Sequence, residues 1–99
     1  MCGATKGGVS TDGVDFTTEA VVQGVVTRDG EPVATAYVRL LDASGEFTAE
    51  APVSATGQFR FFARPGTWTV RALAPGAEPV DQQIVAATGM IAELEIRVG

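Results

Sequence analysis

From Glu19 to the C-terminus, apolar and polar residues alternate in short runs separated by glycine-bearing dipeptides. The last run is the cleanest. Ala92, Leu94, Ile96 and Val98 fall on one face of an extended strand and Glu93, Glu95 and Arg97 on the other, because successive strand side chains point to opposite sides. The same reading predicts strands at Ala20–Val26, Ala36–Leu41, Phe47–Glu50, Gln58–Phe62, Thr67–Ala72, Gln83–Val85 and Ile91–Val98. Between them stand Asp29-Gly30, Ser44-Gly45, Thr56-Gly57, Pro65-Gly66, Pro75-Gly76 and Thr88-Gly89, roughly 9 to 15 residues apart, the rhythm of an all-β domain. After residue 19, no window of ten or more residues free of Gly and Pro carries apolar residues at i, i+3, i+4 and i+7, so little helix is expected.

Turn chemistry agrees with this pattern. Asp29-Gly30 suits the positive φ of a tight hairpin, and Pro65-Gly66 suits the central positions of a type II turn. With Ala36, Val38 and Leu40 inward, Tyr37, Arg39 and Leu41 face out; with Trp68, Val70 and Ala72 inward, Arg71 and Leu73 face out. Trp68 is assigned to the core, where so large a ring is worth several kcal/mol. Residues 1–17, rich in Gly, Thr, Ser and Asp without apolar periodicity, read as a flexible tail ahead of one sandwich domain at 18–99.

Composition narrows the function classes. The 99-residue chain is 45% hydrophobic and 19% charged, the make-up of a packed globular domain. Its net charge is −5, and apart from Lys6 its basic residues are six scattered arginines, so it lacks the cationic cluster that nucleic acid or an anionic membrane requires. No apolar run approaches the ~20 residues that span a bilayer. The sole cysteine, Cys2, permits no internal disulfide and fits a reducing, cytoplasmic compartment. With no histidine, the commonest general base and the Ser-His and Cys-His nucleophile pairs are missing, and neither metal nor cofactor is expected.

The spacing Gly24-x-Val26, Asp29-Gly30-x-Pro32-Val33-x-x-Ala36-x-Val38-x-Leu40, Gly57-x-Phe59-x-Phe61 and Pro65-Gly66-x-Trp68-x-Val70 resembles carboxypeptidase-regulatory-like, transthyretin-like (prealbumin-like) domains. That resemblance implies a seven-stranded antiparallel Greek-key β-sandwich in which the strands bearing Tyr37 and Arg71 are neighbours. It does not extend to the transthyretin-like hydrolases, whose histidines and C-terminal motif are missing here. The Met1-Cys2 start, Val38–Asp42, Glu46–Glu50, Ala55–Ala63 and Pro65–Leu73 are similar to an actinobacterial family of unknown function called SseC-like. That similarity implies a link to sulfur metabolism, because genes of that family commonly lie beside one for a thiosulfate sulfurtransferase.

Three features carry candidate chemistry. Once the initiator Met is removed, Cys2 is an N-terminal thiol near Lys6 that can accept a sulfane sulfur as a persulfide; an unpaired tail cysteine with no chemical task is the plainer reading. Asp12 with Asp15, and Glu93 with Glu95, are the closest carboxylate pairs, but they lack calcium-loop spacing, and the latter share a wet strand face. Tyr37, Arg39, Leu41, Arg71 and Leu73 form a candidate partner face, since aromatic residues and Arg are enriched at interfaces; packing against the tail or a homo-oligomer contact would equally account for it. The expectation is a non-enzymatic accessory module working with a sulfurtransferase, with a Cys2 persulfide carrier and a structural oligomer as alternatives.

Overall fold

The computed structural model describes residues 20–99. Eight strands follow in order: β1 (Ala20–Arg28), β2 (Glu31–Pro32), β3 (Tyr37–Leu41), β4 (Phe47–Pro52), β5 (Gln58–Ala63), β6 (Gly66–Leu73), β7 (Val80–Ala86) and β8 (Ile91–Arg97). All seven expected strands are present. The eighth, β2, is a two-residue return of the Asp29-Gly30 hairpin, in which Arg28 pairs with Glu31 and both turn residues take positive φ, 53° and 83°. This is the geometry that matches a tight turn to the twist of its strands.

The strands form two four-stranded sheets. In the first, β8 lies along one edge of β1 while β5 and the short β2 share the other. The second runs β4-β3-β6-β7. The antiparallel expectation holds for every pairing except β1 with β8, which is parallel from Val21↔Ile91 to Thr27↔Arg97. The chain leaves β7 in the second sheet, turns at Thr88-Gly89 and enters the first sheet where β1 begins, so β8 runs the same way as β1. Residue alternation records which face is buried and carries no information about strand direction.

Val22, Val26, Phe59, Phe61 and Ile96 from the first sheet meet Val38, Leu40, Val70 and Ala72 from the second, all buried. Each large side chain so buried contributes roughly 1.5–3 kcal/mol. The Phe59 and Phe61 rings pack with centroids 6.1 Å apart, tilted by 51°. Gly24 shares the inward phase of Val22 and Val26, and an added Cβ would lie 2.0 Å from the Leu94 carbonyl oxygen and 3.0 Å from the Phe59 ring. The missing side chain therefore lets β8 and the ring close over the middle of β1.

Two further expectations of this fold need correction. Pro65-Gly66 is not a type II hairpin turn: Gly66 has φ 145°, far from the roughly +80° of that turn, and already begins β6. The segment carries the chain from one sheet to the other. Trp68 is half-buried at the core margin, where its indole N–H donates to the Arg64 carbonyl at 2.9 Å. An indole needs a partner for its N–H, which favours a boundary position over the dry centre.

A face of paired charges on the second sheet

The outward side of β4-β3-β6-β7 is ordered in rows by strand register. Arg39 lies opposite Glu50 on β4 and Arg71 on β6, and Arg71 lies opposite Asp81 on β7. One row across four strands therefore reads Glu50, Arg39, Arg71, Asp81. Arg39 Nε donates to Glu50 at 3.3 Å. Arg71 grips Asp81 with two bonds, Nε to Oδ1 at 2.8 Å and Nη2 to Oδ2 at 3.0 Å. The hydrogen bond from Arg71 foremost, aided to a lesser degree by its charge, holds the Asp81 carboxyl below its ordinary 3.8 despite the opposing effect of burial, which outweighs the charge alone. The bond to Asp81 in turn raises Arg71.

The adjacent row is apolar: Tyr37 lies between Pro52 and Leu73 and is 51% exposed. Beyond the charged row, Phe47 on β4 and Val85 on β7 are also exposed, at 60% and 68%. The structure thus brings Tyr37, Arg39, Arg71 and Leu73 together as expected. Leu41 departs from expectation because it is buried, 5% exposed. The pairing of β3 with β4 shifts between Leu40 and Leu41, and Leu41 stands between Phe47 and Thr69 on a central strand whose neighbours shade it. Sequence reasoning left out Glu50 and Asp81. Their alternation marks them as outward, but only the sheet order shows that they bracket the two arginines.

The β3–β4 hairpin that frames this face is fixed by Asp42. Its Oδ1 accepts from Ser44 Oγ at 2.7 Å, Ser44 N at 2.9 Å and Glu46 N at 3.0 Å, and these bonds, the Ser44 hydroxyl foremost, hold the carboxyl below its ordinary 3.8. Such a carboxylate-capped turn aims β4 back along β3.

The outer side of the first sheet has a different character. Arg60, Gln23 and Glu93 occupy one row, with Arg60 Nε and Nη2 donating to Gln23 Oε1 at 2.9 and 2.7 Å and Gln23 Nε2 donating to Glu93 at 2.8 Å. Thr27 Oγ1 donates to Glu95 at 3.0 Å. Glu93 and Glu95 are thereby engaged on an exposed strand face, as their alternation predicts. Among the described residues no group of three or more His, Cys, Asp or Glu gathers to hold a metal. Cys2, Asp12, Asp15 and the 17/18 boundary lie outside the described residues.

Residues 2–98 match the family of proteins of unknown function DUF1416. The chain belongs to that family. Among its relatives, the uncharacterized proteins Rv0814c and Rv3118 of Mycobacterium tuberculosis are each 56% identical over 75 residues, covering 74% of this chain and 75% of theirs. An uncharacterized protein of Mycolicibacterium smegmatis is 53% identical over 88 residues, covering 87% of this chain and 96% of its own. Among solved structures, the chain is similar to the minor pilin GBS52 of Streptococcus agalactiae, with TM-score 0.70 at 10% identity over 82% of this chain and 44% of the pilin. It is also similar to catechol 1,2-dioxygenase from Pseudomonas arvilla, with TM-score 0.64 at 14% identity over 88% of this chain and 54% of the enzyme. The chain spans less than half of that pilin and about half of that dioxygenase. At these identities the likeness concerns fold alone, a β-sandwich that serves unrelated tasks.

Proposed function

We propose that this chain is a non-enzymatic accessory module that binds a protein partner through the outer face of β4-β3-β6-β7, and that the partner is a thiosulfate sulfurtransferase. The observation that carries the reading is the pairing of an apolar row, Pro52-Tyr37-Leu73, whose tyrosine is exposed, with an adjacent charge-balanced row on a sheet whose other side is already packed. Tyr and Arg anchors surrounded by smaller contacts are the usual makers of binding energy. The four charges are mutually paired at the flanks, so a partner can cover them without burying a lone ion. The partner class comes from the SseC-like resemblance, and the single cysteine favours a reducing, cytoplasmic setting.

The test is calorimetry with the purified sulfurtransferase. Binding is expected for the wild type, with about a tenfold or greater weakening for Tyr37→Ala, corresponding to a loss of ~1.4 kcal/mol or more. Equal affinity for both proteins would remove this face from the interaction.

A further inference from the structure

We infer that the partner docks an acidic side chain between Arg39 and Arg71; this rests on the reading of the face as a protein-binding surface and names what the surface recognises. The two arginines are direct cross-strand neighbours at the centre of the sheet, a like-charge placement that disfavours pairing unless something offsets it. Both offsetting carboxylates stand on the flanks, Glu50 on β4 and Asp81 on β7. Neither lies between the guanidiniums, so positive charge is concentrated at the middle of the row.

Donors remain there. A guanidinium carries five N–H bonds in a planar fork. Among the described residues Arg39 commits only Nε, to Glu50, and Arg71 commits Nε and Nη2, to Asp81, leaving both terminal nitrogens of Arg39 and Nη1 of Arg71 for an incoming oxyanion. The arginine side chains are 43% and 38% exposed, open to a partner above the sheet. A carboxylate seated there would meet two cations at once, while the residues beside it meet Tyr37 and Leu73.

The charge order also discriminates among occupants. The row reads negative, positive, positive, negative, and a second copy stacked in register would set arginine over arginine and carboxylate over carboxylate. The net charge of −5 disfavours nucleic acid and anionic lipid. An acidic residue flanked by apolar ones is the complement.

The experiment is a nitrogen-15 NMR titration of the chain with a blocked Leu-Glu-Leu tripeptide, its Leu-Gln-Leu analogue and sodium thiosulfate as separate probes. The side-chain Nε–H signals of Arg39 and Arg71 are expected to move with the Glu peptide, at least about threefold less with the Gln peptide, and to lose the response in the folded R39Q/R71Q variant. Several results would overturn the inference: equal shifts with both peptides, shifts centred on Arg28 or Arg60, no shifts, or a response to thiosulfate alone. With the sulfurtransferase itself, R39Q/R71Q should weaken binding at least about tenfold. Unchanged affinity overturns the inference and leaves the partnership standing. An intact Glu-peptide response with no binding of the sulfurtransferase supports the inference and removes that partner.

Discussion

Gly24→Ala is the substitution that most sharply tests how the first sheet is held together. Gly24 pairs with Phe59 on one side and with Leu94 on the other, and an added methyl would sit 2.0 Å from the Leu94 carbonyl oxygen, well inside the ordinary contact range of 3.4–4 Å. The clashing atom is backbone, so no rotamer change relieves it and β1 and β8 must separate. Overpacking of a well-filled core costs ~1–3 kcal/mol, and a rigid contact of this kind belongs at the upper end, about 3 kcal/mol. At ~4–8 °C per kcal/mol for a domain of this size, the melting temperature should fall by roughly 12–24 °C. Urea unfolding followed by Trp68 fluorescence measures the change as a lower midpoint with an unchanged slope. Phe59→Leu added to Gly24→Ala should not restore stability, because the ring contact, at 3.0 Å, is the lesser of the two. A loss below about 1 kcal/mol, or rescue by the Phe59 change, would refute the close approach of β8 to β1.

Phe59→Ala, which empties the largest fully buried side chain, should cost ~3–5 kcal/mol in the same assay. For acid stability, the Asp42 and Asp81 carboxyls are both held below their ordinary 3.8, so the folded state binds fewer protons than the unfolded one over that range. The stability they contribute is full above the unfolded value and is lost as pH falls through the lower folded values, from about pH 5 downward. Asp81→Asn should flatten that acid limb in urea midpoints taken across pH, and an unchanged limb would show that Asp81 takes no part in it. For Cys2, intact-mass analysis after incubation with thiosulfate and sulfurtransferase should show no reductant-labile gain if the chain acts by binding alone; a gain of ~32 Da on wild type and not on Cys2→Ser would make it a sulfur carrier instead.

Much of the sandwich was legible because its local signals agree with its packing. All six punctuating dipeptides place a glycine at positive φ, and the alternation of β8 sets Ile96 and Val98 in the interior with Glu93, Glu95 and Arg97 exposed. What local signals do not encode is relations between strands. The parallel course of β8 along β1 depends on which sheet each strand joins, and the role of Pro65-Gly66 as a crossover depends on β5 and β6 lying in different sheets. The candidate face follows the same division. Tyr37, Arg39, Arg71 and Leu73 came from phase alone, whereas Glu50 and Asp81 required the order β4-β3-β6-β7. Leu41 departs from the phase of its strand because the register shift beside it, which sets it between Phe47 and Thr69, leaves no mark in the sequence.

The central claim, that the outer face of β4-β3-β6-β7 is the partner-binding surface, is tested most directly by NMR cross-saturation on the labelled chain in complex with unlabelled thiosulfate sulfurtransferase. Signal loss concentrated at Tyr37, Arg39, Arg71 and Leu73 is the predicted result. Loss centred instead on Gln23, Arg60 and Glu93, across the opposite sheet, would contradict it.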